Sequence, residues 1–249
     1  MRIARFAKGD GVAYGVVEGS DPALTIAELY GHPFGVDPGG VRLTGNRYPL
    51  AEVRLLAPVL PSKVVAAGRN YASHAREMDG ESPAEPVLFL KPSTSVTGPG
   101  DAIKYPVKLT ERVDFEGELA VIIGRLCRGV PPERAEEVIF GYTCANDVTA
   151  RDLQARDGQW TRAKGFDTFC PLGPWMETGT NPADLELVTT VNGAVRQRAD
   201  AGRGAGEQHV AGQQRHHGGD VADQRGHVVQ QQRCPRVLLD LAVHRRAQL

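Results

Sequence analysis

Two glutamates separated by one glycine open a segment that could hold a metal ion. Segment 114–124 begins polar, with Glu116 and Glu118, and continues into an apolar, β-branched run at 119–123, which predicts a β-strand that ends buried. Side chains at positions i and i+2 of a strand lie on one face, so the two carboxylates project together. Because adjacent buried carboxylates repel, a cation would stabilise them, and oxygen ligands suit Mg²⁺, Mn²⁺ or Ca²⁺. The alternative is a solvent-facing strand whose glutamates pair with lysine or arginine.

Further chemically suitable residues flank this strand. Asp147, at the end of a strand predicted at 140–147, supplies a third carboxylate. His74 and Glu77 lie three positions apart on a short helix that Asn70 would cap, so they share a face. A carboxylate beside an imidazole orients the ring and favours its protonated form, as in a general base that takes a proton from water. An exposed helical ion pair is the alternative.

Two lysines stand apart from the charged stretches of the chain. Lys91 ends an apolar strand predicted at 87–91, so its ammonium group must either pair or extend to solvent. Lys164 lies among small and aromatic neighbours and follows a helix predicted at 149–156.

Length, charge and cysteine content restrict the class of protein. The chain has 249 residues, enough for one large domain or for a domain with a small companion. Its formal net charge of −1 gives no general attraction to nucleic acid or anionic membranes. The N-terminal residues do not resemble a signal peptide, and no run approaches the ~18 apolar residues of a membrane span. Four cysteines without a C-x-x-C pair predict structural thiols in a cytoplasmic protein and argue against zinc.

The chain divides into three predicted regions. Residues 1–57 form a small β-rich N-terminal domain, with a strand at 12–19 and one helical turn at 25–30, and we expect it to have a packing or dimerisation role. Residues 58–199 form the main domain, which closes with a hairpin whose turn is Asn192-Gly193.

Residues 200–249 differ from the rest of the chain. Positions 201–249 contain no Phe, Trp, Tyr, Ile, Lys, Ser, Thr or Met, but eight Gln and five of the seven His. No apolar period appears before 237–243. A stretch so poor in aromatic and β-branched residues predicts a disordered tail. Either it is a basic tail, or it is translated from a shifted reading frame of GC-rich DNA, which we favour because the hairpin at Asn192-Gly193 is interrupted. Nucleic-acid binding by its arginines is disfavoured, since acidic residues interrupt them and no aromatics interleave.

Five sequence blocks together resemble the fumarylacetoacetate hydrolase family. In order and at family spacing they are 68–78 (GRNYASHAREM), 86–93 (PVLFLKPS), 114–119 (DFEGEL), 146–154 (NDVTARDLQ) and 163–167 (AKGFD). The short N-terminal domain is similar to that of bacterial members described as 2-hydroxyhepta-2,4-diene-1,7-dioate isomerases. Acylpyruvate hydrolases and oxaloacetate decarboxylases share this form.

The resemblance implies a fold and a set of site residues. The fold would be α+β and mostly β, the family's fumarylacetoacetase-like mixed β-roll, usually as a homodimer. Glu116, Glu118 and Asp147 would ligate Mg²⁺ or Mn²⁺. His74 and Glu77 would form a water-activating dyad on a lid helix. Lys164 would act in catalysis and bind the substrate's carboxylate or enolate oxygen, and Gln154 would contact substrate.

The resemblance also implies the chemistry. The enzyme would act on small 2-oxo or 2-hydroxydienoic dicarboxylic acids, in aromatic compound catabolism, by C–C hydrolysis, decarboxylation or enol–keto isomerisation. Each of these reactions passes through a metal-stabilised enolate. Two family blocks, a Pro-Gly-Asp turn and a Thr-Gly-Thr-Pro loop, do not occur in 199–249. The alternative is therefore a catalytically inactive, truncated family member that at most binds a metal ion or a partner subunit.

Overall fold

The computed structural model describes residues 1–9, 11–34, 40–68, 85–200, 227–234 and 237–244, with the backbone alone beyond residue 199. These ranges are mostly β-strand with a few short helices, which confirms the predicted fold class. The strands are β1 Arg2–Lys8, β2 Gly11–Glu18, β3 Thr25–Leu29, β4 Leu43–Pro49, β5 Arg54–Leu56, β6 Val64–Gly68, β7 Val87–Lys91, β8 Val96–Thr97, β9 Val113–Asp114, β10 Gly117–Ile123, β11 Ile139–Asn146, β12 Thr149–Ala150, β13 Cys170–Glu177, β14 Glu186–Val191, β15 Ala194–Asp200, β16 His227–Cys234 and β17 Val237–His244. The α-helices in these ranges are α1 Arg151–Asp157 and α2 Thr161–Lys164. Short 3₁₀ helices cover Leu50–Glu52, Ser93–Ser95, Pro132–Val138 and Pro182–Asp184.

A nine-stranded sheet joins the N-terminal strands to the strand that follows Glu116. Its order is β10-β11-β13-β1-β2-β3-β4, with β5 paired to β1 and β8 paired to β13. Ile3 of β1 lies opposite Met176 of β13, and both belong to one apolar core. The adjacent Trp175 packs instead with Phe6 and Ile26 in a second core, as expected for the alternating faces of a strand. Residues 1–57 are therefore continuous with the main domain through both the sheet and its cores.

The helical turn predicted at 25–30 is wrong, because this segment is strand β3. β3 lies between β2 and β4 and pairs with both, so sheet hydrogen bonds occupy its backbone. Ile26 is fully buried in the second core. Packing between two neighbouring strands therefore outweighs a weak local preference for helix. The strand predicted at 12–19 is present as β2.

The strand predicted over 114–124 is present as β10, which begins three residues later, at Gly117. The prediction that it ends buried is wrong, because only one face is covered: Ile122 is buried, whereas Val121 and Ile123 are about half exposed. β10 pairs antiparallel with β11, so that Gly117 lies opposite Asn146 and Glu118 lies opposite Ala145. The helix predicted at 149–156 begins two residues later, as α1, because Thr149 and Ala150 first pair with β9 as strand β12. A third apolar core includes Val148, Leu153, Ala163 and Phe169. It fixes both α-helices against the segment that carries Asp147.

The predicted hairpin is present and is extended by two tail strands. β14 and β15 pair around Asn192 and Gly193, whose φ values of 52° and 77° suit a tight hairpin turn. β14 also pairs with β16, which pairs with β17. The backbone of 227–234 and 237–244 thus lies in a sheet, which differs from the predicted disorder of the tail. The rest of that prediction falls on residues outside the described ranges.

None of the helices in the described ranges combines the length and the apolar character needed to span a membrane.

Candidate active site

The pairing of β10 with β11 brings Glu116 and Asp147 together. Glu116 lies immediately before β10, and Asp147 lies immediately after β11. The Asp147 N–H donates to the Glu116 carbonyl at 2.8 Å, and the Glu116 N–H donates to Oδ1 of Asn146 at 3.0 Å. Asn146 is fully buried. These two hydrogen bonds therefore fix the backbone at Glu116 and Asp147.

Lys164 places one ammonium group between the two carboxylates. Its Nζ lies 2.8 Å from Oε2 of Glu116 and 2.5 Å from Oδ2 of Asp147, with a side chain that is 2% exposed. The same Nζ lies 5.0 Å from the centroid of the Phe89 ring, a cation–π distance. Lys164 ends α2, and the next residue must be small, because a Cβ on Gly165 would lie 2.4 Å from the carbonyl oxygen of Thr161.

Lys91 binds the other oxygen of Asp147. Its Nζ lies 2.6 Å from Oδ1 of Asp147 and 3.4 Å from the Val148 carbonyl, and its side chain is 1% exposed. Of the two alternatives for this lysine, pairing and extension to solvent, the structure shows pairing. Both oxygens of Asp147 are thus bound by buried ammonium groups, which offset the cost of burying this carboxylate.

Arg151 connects three side chains at the start of α1. Its guanidinium group donates to Oε1 of Glu116 at 2.5 Å, to Oδ2 of Asp114 at 2.9 Å and to Oε1 of Gln154 at 2.8 Å. Burial alone would lower the pKa of Arg151, but the negative charges of Glu116 and Asp114 raise it, so the group is charged. Sequence reasoning missed this residue. Its position four residues after Asp147, directly after β12, was the available signal.

These contacts form one alternating chain of charges from the surface to the core. In order it contains Arg112, Asp114, Arg151, Glu116, Lys164, Asp147 and Lys91. Arg112 is 45% exposed, whereas the two lysines are almost completely buried. The carboxylates therefore lie on a gradient of solvent access, with Asp147 at the inner end.

The structure brings four of the predicted site residues into one network. Glu116, Asp147, Lys164 and Gln154 belong to one network, whereas Glu118 is the half-buried second residue of β10. His74 and Glu77 lie outside the described residues, as do their predicted helix and its cap. Within the described ranges, no three His, Cys, Asp or Glu side chains form a group that could by itself hold a metal ion.

The donor atoms that do converge suit a hard divalent cation. Lys164 already shows that a single cation can contact Glu116 and Asp147 together. Carboxylate oxygens are the ligands that Mg²⁺ and Mn²⁺ prefer, and Glu118 lies within two residues of Glu116 on the same segment.

Cys170 is a buried cysteine close enough to Lys91 and Asp147 for their charges to affect its pKa. Burial raises the pKa of Cys170 to about 11, with a lowering effect from Lys91 and a raising effect from Asp147. Near neutral pH its thiol is therefore protonated, which does not favour a role as a nucleophile. This agrees with the expectation of a structural thiol.

The chain belongs to the fumarylacetoacetate hydrolase family. The family model described as "Fumarylacetoacetate (FAA) hydrolase C-terminal" matches residues 63–204, and the one described as "Rv2993c-like, N-terminal" matches residues 1–58. Together these matches include every described residue of the candidate site. Neither match extends into 205–249.

Several relatives and solved structures support this assignment. Protein Rv2993c of Mycobacterium tuberculosis is 54% identical over 205 residues, which cover 80% of this chain and 76% of the relative. Oxaloacetate tautomerase YisK of Bacillus subtilis is 44% identical over 161 residues, 62% of this chain and 54% of the relative.

Among solved structures, 5-carboxymethyl-2-hydroxymuconate delta-isomerase from Mycobacterium smegmatis has 53% identity and a TM-score of 0.72, covering 80% of this chain and 75% of that one. Maleylpyruvate hydrolase from Sphingobium sp. SYK-6, in complex with manganese(II) ion and pyruvate, has 29% identity and a TM-score of 0.65, covering 98% of each chain.

Proposed function

We propose that this protein is a divalent-metal-dependent enzyme that isomerises or hydrolyses small 2-oxo or 2-hydroxydienoic dicarboxylic acids. Glu116, Glu118 and Asp147 would hold Mg²⁺ or Mn²⁺. The observation that most supports this proposal is that two largely buried carboxylates, Glu116 and Asp147, contact the same cationic group, the ammonium of Lys164. The manganese complex of the maleylpyruvate hydrolase relative supports a metal of this kind.

Among the reactions open to such a site, we favour enol–keto tautomerisation or double-bond isomerisation. Two relatives with at least 44% identity are named as an oxaloacetate tautomerase and as a delta-isomerase. These reactions move a proton on the substrate and consume no water. Hydrolysis of an acylpyruvate C–C bond is the second candidate, which the maleylpyruvate hydrolase relative supports.

Each side chain then has a distinct role. A bound divalent cation would supply Lewis-acid polarisation of the 2-oxo group. Lys164 adds a positive charge in a desolvated position, where it can stabilise negative charge on a substrate oxygen. Arg151 binds Oε1 of Gln154, so the Nε2 donors of Gln154 are the part of that side chain suited to a substrate carboxylate. His74 and Glu77 would transfer protons, and in hydrolysis they would activate water.

A metal titration combined with three assays tests the proposal. Calorimetry with Mn²⁺ should show binding that Glu118→Ala abolishes, whereas Glu28→Gln, which changes a carboxylate in the N-terminal sheet, should bind as the native chain does. Oxaloacetate tautomerisation, oxaloacetate decarboxylation and acylpyruvate hydrolysis are then measured with and without Mn²⁺. His74→Ala should lower hydrolysis by ~10² or more while Mn²⁺ binding survives, since His74 is not a proposed ligand.

The outcomes separate the enzyme from its alternative. Unchanged Mn²⁺ binding in Glu118→Ala would remove that residue from the site. Intact Mn²⁺ binding without any of the three activities would favour the catalytically inactive family member. We also propose a homodimer in the cytoplasm, which sedimentation of the purified chain and cell fractionation would check.

A further inference from the structure

Gln197, on the β14–β15 hairpin, binds the backbone of Gly117, which lies between the proposed metal ligands Glu116 and Glu118. Oε1 of Gln197, on β15, accepts a hydrogen bond from the Gly117 N–H at 2.9 Å. Nε2 of the same amide donates to the Gly117 carbonyl at 2.8 Å. Gln197 thus contacts Gly117 as a neighbouring strand would, although the two residues are 80 positions apart.

This pair of bonds completes the backbone hydrogen bonding of Glu116 and Gly117. The Glu116 N–H donates to Asn146, and its carbonyl accepts from the Asp147 N–H. The N–H and the carbonyl of Gly117 both bind Gln197. Four backbone groups in a row therefore have defined partners, with β11 on one side and Gln197 on the other.

The orientation of the Gln197 amide is itself fixed. Thr189, on β14, is fully buried, and its hydroxyl donates to Oε1 of Gln197 at 3.2 Å. Thr189 and Gln197 are direct cross-strand partners in the hairpin. Because Oε1 accepts from both Thr189 and Gly117, Nε2 must face the Gly117 carbonyl, and the amide cannot rotate without losing bonds on both sides.

We propose that Gln197 is a positioning residue for the segment that carries Glu116 and Glu118. It touches neither carboxylate and acts through the peptide groups of Gly117, which connect the two. The part of this inference that concerns metal binding rests on the proposed function. The β14–β15 hairpin thereby controls the spacing of two proposed ligands on a segment of another sheet. The spacing of Glu116 and Glu118 in the sequence gives no indication of this contact.

The test substitutes Gln197→Met, which keeps most of the side-chain volume and removes both bonds. Three quantities are measured: Mn²⁺ dissociation constant, hydrogen–deuterium exchange of the Gly117 amide by NMR, and urea unfolding. Arg198→Met is the matched control, since Arg198 is the next residue of β15, is 52% exposed and pairs with Glu186. Thr189→Val is a second variant that keeps the amide but releases its orientation.

Gln197→Met should speed exchange of the Gly117 amide and raise the Mn²⁺ dissociation constant by about 10- to 100-fold, the usual effect of losing a residue that supports metal ligands. Thr189→Val should change both in the same direction and less. Arg198→Met should change neither. A purely structural role would lower unfolding stability in Gln197→Met while Mn²⁺ affinity stayed native.

Two results would overturn the inference. Native Mn²⁺ affinity in folded Gln197→Met would show that the two Gln197–Gly117 hydrogen bonds do not position the ligands. Unchanged exchange of the Gly117 amide would show that its hydrogen bond to Gln197 does not form. If the native chain fails to bind Mn²⁺, the proposed metal site is wrong, and the exchange of the Gly117 amide still decides whether Gln197 fixes this backbone.

Discussion

In the part of the chain that the structure describes, the N-terminal sheet and the candidate site both bury carboxylates, and they balance the negative charge differently. In the N-terminal sheet, Glu28 is 6% exposed and forms an ion pair with Lys8. Neutral donors complete its shell: the Asn46 amide at 2.9 Å, the Tyr48 hydroxyl at 3.2 Å and the Thr44 hydroxyl at 3.4 Å. This is one carboxylate with one cation, and the Lys8 side chain is still 35% exposed.

In the candidate site each carboxylate is bound by two cationic side chains, whereas Glu28 in the N-terminal sheet is bound by one cation and by neutral donors. Asp147 is bound by two lysines, and Glu116 is bound by a lysine and an arginine. Lys91 and Lys164 are almost inaccessible to water, unlike Lys8. Glu28, bound by one ammonium group and three neutral donors, is held by partners that serve stability. Under the proposed function, a divalent ion would take the position of the cation that Glu116 and Asp147 share.

The largest expected effect is the loss of stability in Asp147→Asn. This change leaves Lys91 and Lys164 buried without the carboxylate that both bind, and breaking a buried pair costs ~3–5 kcal/mol. Glu28→Gln should cost less, because Lys8 can turn to solvent. Urea unfolding of both variants beside the native chain measures the difference. Equal losses would mean that exposure of the partner cation does not distinguish the two regions.

From the sequence alone, the strands and the helix of the site were easier to predict than the side-chain contacts between them. Strand β10 and the positions of Glu116 and Asp147 next to strand ends follow from local patterns of apolar and acidic residues, whereas their role as metal ligands stays a prediction. Lys91 and Gln197 lie on β7 and β15, which belong to two other sheets, so spacing along the chain did not indicate which groups they would bind. Arg151 is different, because it lies only four residues after Asp147. The error at β3 has the same cause, since neighbouring strands decided a segment whose local preference was weak.

A second prediction concerns Lys164→Met, which removes the cation shared by Glu116 and Asp147. The metal-free variant should be less stable than the native chain, and Mn²⁺ should stabilise it more, because the ion no longer competes with an ammonium group. A tenfold tighter site would add about 1.4 kcal/mol of metal-dependent stability at saturating Mn²⁺. Thermal unfolding with and without Mn²⁺ measures this.

Lys8→Met is the control for that prediction. It removes the ammonium group beside Glu28, in the region with neutral donors, and should show the native response to Mn²⁺. If Lys164→Met responds to Mn²⁺ less strongly than the native chain, Lys164 supports the ligands and does not compete for their place.

The smallest expected effect is the acid sensitivity of the N-terminal network. The hydrogen bond from Lys8 lowers the pKa of Glu28, the bonds from Asn46 and Tyr48 lower it further, and burial opposes them. A carboxyl whose pKa is lower in the folded chain contributes stability above its unfolded pKa, and this contribution is lost as the pH falls through the folded value. Lys8, whose pKa is raised chiefly by the bond to Glu28, contributes below the ordinary lysine pKa and loses that contribution at alkaline pH.

Around neutral pH both contributions are therefore complete. The stability difference between the native chain and Glu28→Gln should be constant there and should shrink in acid below the ordinary glutamate pKa, about 4.3. Urea unfolding from pH 3 to pH 7 (roughly the span over which glutamate titrates) checks this. If the stability difference between the two chains instead grows in acid, the pKa of Glu28 is raised by folding and not lowered. Burial would then outweigh the hydrogen bond from Lys8.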